Sequence, residues 1–166
     1  MAEDGTAAAG APGLVFDLGM HRGLDTRFYL DKGFRVVALE ANPAMCAAAR
    51  AAFAEEIAGG RLHVVERALW HERGAASIPF FLNHDKDDWS STSRAWAEKG
   101  GHRAEEIAVP TTALAELLDR HGTPRYIKCD VEGMDEAFAA QLLADRRRPA
   151  FVSVEAVSLD ALALLR

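Results

Sequence analysis

Three short apolar segments of this chain each carry an acidic residue near the carboxyl end, and this repeated pattern restricts the fold more than any other feature. The segments are residues 14–18, 35–40 and 126–131, and their acids are Asp17, Glu40 and Asp130. Short apolar runs are typical of buried parallel strands. Because ligands of open α/β sheets bind at the carboxyl ends of the strands, the three acids predict a cofactor cleft at one edge of the sheet.

The segments between these strands have the composition or spacing of helices. We predict helices over residues 25–32, 43–58, 113–121, 134–143 and 159–165. We predict further strands over residues 62–66, 77–82, 107–111 and 150–156. Because strands alternate with helices, the predicted fold class is α/β, with a Rossmann-like, mostly parallel sheet that has helices on both faces.

Length and composition are those of one globular domain. The chain has 166 residues, of which 49% are apolar and 27% are charged. We expect residues 14–166 to form the domain, and residues 1–13, which lack a basic stretch, to form a flexible tail rather than a signal peptide. The formal net charge of −6 argues against a nucleic-acid surface, and no apolar run has the length of a membrane span.

Neither cysteine lies in a metal-binding motif. Cys46 falls in a helix-like segment and Cys129 in a strand-like segment, and we interpret both as reduced core residues of a cytoplasmic protein. A metal site built from Asp130, Glu132 and Asp135 would lack a recognisable ligand spacing, so no metal ion is expected.

The glycines that follow the first strand differ from the dinucleotide-binding fingerprint. That fingerprint is Gly-x-Gly-x-x-Gly, whereas this chain has Gly19 and Gly23 after Asp17. Gly19 permits a tight turn beside a ligand, and the backbone N–H groups that lead into the next helix favour a carboxylate. Asp17 could accept from an ammonium group, and Glu40 could accept two ribose hydroxyls. A ligand with an amino acid at one end and a ribose at the other is S-adenosyl-L-methionine.

The whole pattern resembles the FkbM family of class I S-adenosylmethionine-dependent methyltransferases. Residues 127–133 read I-K-C-D-V-E-G and are similar to the family signature I-K-x-D-V-E-G. Residues 15–23 resemble its D-x-G-x-x-x-G turn. Residues 39–43 resemble its E-P-N-P segment, with Ala41 in place of the proline, and residues 67–74 resemble its A-(V/L)-(S/G)-D-x-x-G turn.

This resemblance implies a class I methyltransferase sheet, S-adenosyl-L-methionine as cofactor, and O-methylation of a small-molecule acceptor such as a sugar or a secondary metabolite. The expected cofactor-binding residues are Asp17, Gly19, Gly23, Glu40, Ala41, Ala68, Leu69 and Asp130. The expected catalytic residues are Asp130, Glu132 and His21. The expected substrate-binding residues, from the long polar segment 83–106, are Trp89, Ser90, Ser91 and His84.

Several alternatives stay open from the sequence. Lys128 is expected to neutralise an acid cluster rather than to act in catalysis. Class I sheets usually have seven strands, the last two in an antiparallel hairpin, but only ten residues follow the strand predicted over 150–156. The C-terminal strands are therefore expected to be missing or truncated: either the sequence is a fragment, or the sheet is shortened and a partner covers its free edge in a possible homo-oligomer. A non-catalytic S-adenosylmethionine-binding module is the main alternative function. A nicotinamide-dependent enzyme is disfavoured because the third glycine of the fingerprint is missing.

Overall fold

The computed structural model of the protein describes residues 11–131 and 133–155. In chain order, its helices and longer strands are β1 (Ala11–Leu18), α1 (Leu24–Asp31), β2 (Arg35–Glu40), α2 (Pro43–Ala52), α3 (Ala54–Ala58), β3 (Leu62–Glu66), β4 (Ala68–Leu69), β5 (Ser77–Asn83), α4 (Arg94–Ala97), β6 (Ala104–Thr112), α5 (Leu114–His121), β7 (Pro124–Cys129), α6 (Asp135–Ala144) and β8 (Phe151–Val154). The predicted helix over residues 159–165 and most of the predicted tail lie outside the described residues.

Within the described residues, the main sheet has five parallel strands in the order β3-β2-β1-β7-β8. The central strand β1 pairs with β2 on one side and with β7 on the other, so the strand order reverses at β1. A smaller sheet places β6 between a parallel β4 and an antiparallel β5. The predicted α/β class with a mostly parallel sheet is confirmed, and the reversal at β1 is where such sheets bind ligands.

Both faces of the main sheet are covered by helices, as predicted. Alternate residues of β1 point to opposite faces. Phe16 and Leu18 pack with apolar side chains of α5 and α6, whereas Val15 packs with those of α1 and α2. The burial of β1 on both faces explains why its sequence is almost continuously apolar.

Element boundaries differ from the predicted ones in informative places. Strand β1 begins at Ala11, three residues earlier than predicted, because Ala11 pairs with Pro124 of β7. Strand β7 ends at Cys129, so Asp130 follows the strand instead of lying within it. The single helix predicted over 43–58 is two helices, α2 and α3, which meet at Phe53.

The polar segment that joins β5 to β6, residues 84–103, is folded rather than an open loop, and we call it the β5–β6 connection. It contains α4 and two short 3₁₀ turns. Asn83, which is fully buried, anchors it: the side-chain amide donates to Ala97 O at 2.7 Å, and Oδ1 accepts from the Lys86 N–H at 2.8 Å. Ser91 exchanges backbone hydrogen bonds with Phe81 of β5. These bonds bring the connection over the carboxyl edge of the sheet.

A glycine substitution tests how tightly β1 and β7 are joined. Gly19 has φ +83°, and a Cβ atom there would lie 1.8 Å from the carbonyl oxygen of Asp130. Gly33 has φ +84° but no atom within 4 Å of its Cβ position. We expect Gly33→Ala to lower the free energy of unfolding by about 1–2 kcal/mol, the cost of a left-handed residue. Gly19→Ala adds a backbone clash and should cost roughly 1–3 kcal/mol more.

Urea unfolding of the two variants measures this difference. Equal losses of unfolding free energy for Gly19→Ala and Gly33→Ala would contradict the close contact between the Gly19 turn and Asp130.

Candidate functional site

A pocket of about 300 Å³ opens at the carboxyl ends of β1, β2 and β7. Nine residues singled out from the sequence line it: Gly19, His21, Glu40, Ala41, Ala68, Leu69, Ser90, Ser91 and Asp130. The structure therefore brings together residues from five separate segments of the chain. Glu132 lies outside the described residues.

Glu40 is held rigidly at the end of β2. Its Oε2 accepts the backbone N–H of His21 at 2.8 Å, and its Oε1 accepts the N–H of Asn42 at 2.7 Å. Burial raises the pKa of Glu40 above its ordinary value, although the two N–H donors oppose this. Each carboxylate oxygen has further acceptor capacity beyond its one backbone donor. Glu40 can thus bind hydroxyl groups from a ligand in the pocket.

Lys128 is the centre of a charged cluster beneath the pocket. Its Nζ lies 3.4 Å from Asp17 Oδ1, 3.3 Å from Asp25 Oδ2 and 3.2 Å from Asp130 Oδ2, and it donates to the carbonyl oxygen of Gly19 at 3.1 Å. Burial alone would lower the pKa of Lys128, but the carboxylates outweigh burial and raise it. The lysine therefore stays charged and neutralises an acid cluster, as the sequence predicted.

Asp17 has a different role from the one predicted. It is fully buried, does not line the pocket, and accepts the hydroxyl of Thr26 at 2.6 Å. Burial raises the pKa of the Asp17 carboxyl above its ordinary value of 3.8, and the Lys128 ammonium opposes this. The ammonium partner that we expected from a ligand is thus supplied by the protein itself.

Asp130 does face the pocket. Partial burial acts to raise its pKa, but a hydrogen bond with Glu155 and the Lys128 ammonium outweigh burial and hold the pKa below 3.8. Asp130 is therefore an ionised carboxylate at neutral pH. A carboxylate with a lowered pKa orients a hydroxyl well but accepts its proton poorly.

The β5–β6 connection supplies two of the four residues expected from it, together with others that were not expected. Ser90 and Ser91 line the pocket, but Trp89 and His84 do not. The Trp89 ring meets the His102 ring edge-on, with 5.3 Å between centroids, and His84 Nε2 lies 2.8 Å from Glu105 Oε2. The acids Asp87 and Asp88 line the pocket instead.

Ala41, Ala68 and Leu69 lie with Met45 along the apolar part of the lining. Gly23 lies outside the pocket, and a Cβ atom at this position would lie 2.8 Å from the ring of Phe53. The lining residues that sequence reasoning missed are Leu39, Asn42, Met45, Arg67, Phe80, Asp87, Asp88, Thr92, Val131, Met134 and Glu155. Leu39, Asn42, Arg67 and Val131 lie within recognised motifs and could have been included on that ground.

Residues 11–131 and 133–155 lack two kinds of feature. No group of three or more His, Cys, Asp or Glu side chains in this part of the chain could hold a metal ion. No helix there has the length and apolar character needed to cross a membrane. Cys46 and Cys129 are free and buried.

The charged cluster should show itself in the pH dependence of stability. Lys128→Met leaves the buried Asp17 without its cation, and we expect a loss of about 3 kcal/mol or more of unfolding free energy at pH 7.5. Without Lys128 the pKa of Asp17 should rise further above 3.8. The folded state then binds more protons than the unfolded state, so stability falls as pH rises above 3.8.

Urea unfolding from pH 5 to pH 8 should therefore show that the loss of unfolding free energy caused by Lys128→Met grows as the pH rises. Asp17→Asn in the Lys128→Met background removes the titrating group and should flatten this dependence. A deficit that is constant with pH would contradict the role of Lys128 as the counter-ion of Asp17.

Comparison with known proteins gives a similar structure and a matching family. The crystal structure of precorrin-6y C5,15-methyltransferase from Geobacter metallireducens GS-15 is similar at 19% sequence identity and a TM-score of 0.46. That match covers 90% of this chain but 56% of the other, so the chain spans little more than half of its length. No curated protein matches the chain. The sequence profile of the methyltransferase FkbM domain matches residues 17–160, which is most of the chain, and the protein therefore belongs to the FkbM methyltransferase domain family.

Proposed function

We propose that this protein is an S-adenosylmethionine-dependent methyltransferase that methylates a hydroxyl group of a small molecule. The observation that carries the proposal is Glu40, a half-buried carboxylate whose two oxygens accept hydrogen bonds from backbone N–H groups at the rim of the pocket. An acid at the end of the second strand of such a sheet is the usual acceptor for ribose hydroxyls. Membership of the FkbM family supports methyl transfer as the reaction class.

The lining of the pocket supports this cofactor. Glu40 would hold the ribose, and the apolar side chains of Ala41, Met45 and Leu69 would contact the adenine ring. The turn at Gly19 would lie beside the amino-acid end. When bound, S-adenosylmethionine supplies a methyl group that its sulfonium already activates.

The residues of this chain would then have to place the acceptor and exclude water. Asp130 is ionised, so we assign it to orienting the acceptor hydroxyl and to favouring positive charge nearby, rather than to removing the hydroxyl proton. The hydroxyls of Ser90, Ser91 and Thr92 would contact the acceptor across the pocket. A lining of this kind suits a small polar molecule that carries several hydroxyl groups.

Calorimetry tests the cofactor assignment. We expect the wild-type protein to bind S-adenosylhomocysteine and not NAD. In Glu40→Gln an amide nitrogen replaces one acceptor oxygen, so affinity for S-adenosylhomocysteine should fall by about 1–3 kcal/mol. Glu66→Gln is the matched control, because Glu66 lies opposite Glu40 in the β2–β3 register but pairs with Arg50 outside the pocket.

A folded Glu40→Gln protein with wild-type affinity would remove Glu40 from the cofactor site. Tight binding without product on any hydroxylated acceptor would instead favour the non-catalytic binding module.

Methyl-transfer assays test the role of Asp130. Asp130→Asn keeps the size of the side chain and removes its charge, and we expect turnover to fall at least about a hundredfold while affinity for S-adenosylhomocysteine changes much less. Asp25→Asn is the control, because Asp25 also contacts Lys128 but lies outside the pocket. Equal effects of the two substitutions on turnover would show that the charge cluster, and not an acceptor contact, explains the loss.

A further inference from the structure

His21 adopts a backbone conformation that its side chain does not favour. It has φ +50° and is, among the residues that the structure describes, the one non-glycine residue with a positive φ. This conformation directs the His21 N–H to Glu40 Oε2 at 2.8 Å. Strained residues of this kind persist only where neighbouring contacts hold them. The alignment of Glu40 therefore depends on whatever holds His21.

The His21 side chain is held from the β5–β6 connection. Asp87 Oδ1 lies 3.3 Å from His21 Nε2, and Asp87 Oδ2 accepts from the Arg22 guanidinium at 2.8 Å. Asp87 thus contacts two consecutive residues of the turn after β1. Its own backbone is fixed, because the Ser90 N–H donates to Asp87 O and Lys86 is bonded to the buried Asn83.

We propose that Asp87 is a positioning residue for the cofactor site, which holds His21 in its left-handed conformation and so keeps the His21 N–H on Glu40. The proposal rests on the proposed function, since it takes the ligand of Glu40 to be the cofactor. The carboxylate of Asp87 thus joins the β5–β6 connection to the turn after β1, on which the cofactor site would depend.

The surroundings of Asp87 suit this role. Its side chain is 25% exposed and lines the pocket, and hydrogen bonding by Arg22 holds its pKa below the ordinary value. Asp85, in the same connection, makes a comparable contact, with 3.1 Å between its Oδ2 and His102 Nδ1, but its side chain is 73% exposed and lies outside the pocket. The Asp85–His102 pair is therefore a matched control, because it is a carboxylate–imidazole contact that does not involve the turn beside Glu40.

The test compares Asp87→Asn with Asp85→Asn by calorimetry with S-adenosylhomocysteine. Asp87→Asn removes the carboxylate charge beside His21, and we expect it to raise the dissociation constant about tenfold, whereas Asp85→Asn should change it less than about twofold. An unchanged constant in Asp87→Asn, with a wild-type protein that binds, would overturn the proposal.

Substitutions of His21 separate positioning from a general structural effect. Glycine adopts a positive φ freely, whereas alanine does not. His21→Gly should therefore bind S-adenosylhomocysteine more tightly than His21→Ala. Asp87→Asn should have little further effect in the His21→Gly background. An equal loss from Asp87→Asn in the wild-type and His21→Gly backgrounds would show that Asp87 does not act through His21, and would overturn the proposal.

Urea unfolding of the ligand-free variants tests the role of Asp87 independently of the proposed cofactor. If the wild-type protein fails to bind S-adenosylhomocysteine, the cofactor assignment is wrong and Asp87 does not position a cofactor site. Asp87→Asn should also lower the urea midpoint less in the His21→Gly background than in wild type. If Asp87→Asn shifts the urea midpoint equally in the two backgrounds, Asp87 does not hold the backbone conformation of His21. The proposal is then overturned whatever the ligand.

Discussion

The site depends on one partly buried cation, Lys128. Lys128 contacts carboxylates from β1, from the start of α1 and from the residue after β7, and its ammonium also binds the carbonyl of Gly19. Carboxylates that converge at a buried site repel one another and lose their hydration. The Lys128 ammonium offsets both the repulsion and the lost hydration, because it lies within 3.4 Å of an oxygen of each carboxylate. The acidic edge of the sheet, and with it the wall of the pocket formed by Gly19 and Asp130, is stable because this cation joins the two strand ends.

Much of this arrangement could be predicted from the sequence, because parallel strands leave a simple pattern. Short apolar runs locate the strands, and the carboxyl ends of such strands meet at one edge. Gly19, Glu40 and Asp130 do meet there. Asp17 looked the same in the sequence but faces the interior, since it lies one residue before the end of β1 and its side chain takes the face covered by α1. The sequence predicts that Lys128 neutralises an acid cluster, but not that Asp17 belongs to that cluster.

The β5–β6 connection was the least predictable part of the site. Side-chain directions follow a period in helices and strands, but irregular backbone has none. Here they depend on Asn83, whose buried amide fixes the turns that follow. Those turns direct Asp87 and Ser90 towards the pocket, and leave Trp89 and His84 outside it. Residue type alone favoured the Trp89 ring and the His84 imidazole as pocket residues. The hydrogen bonds of Asn83 instead determine which side chains of the connection face the pocket.

The pairing of β1 with β7 also determines when the site can exist. The bond from Lys128 to Gly19 joins residues 109 positions apart in the chain. Contacts at such separation form late and slow the folding of a domain, because a long loop must close first. During synthesis, β1 emerges well before β7, with one edge unpaired and open to association with other strands. The nascent chain therefore lacks both a cofactor pocket and a closed sheet until β7 is made, and aggregation is its main competitor over that interval.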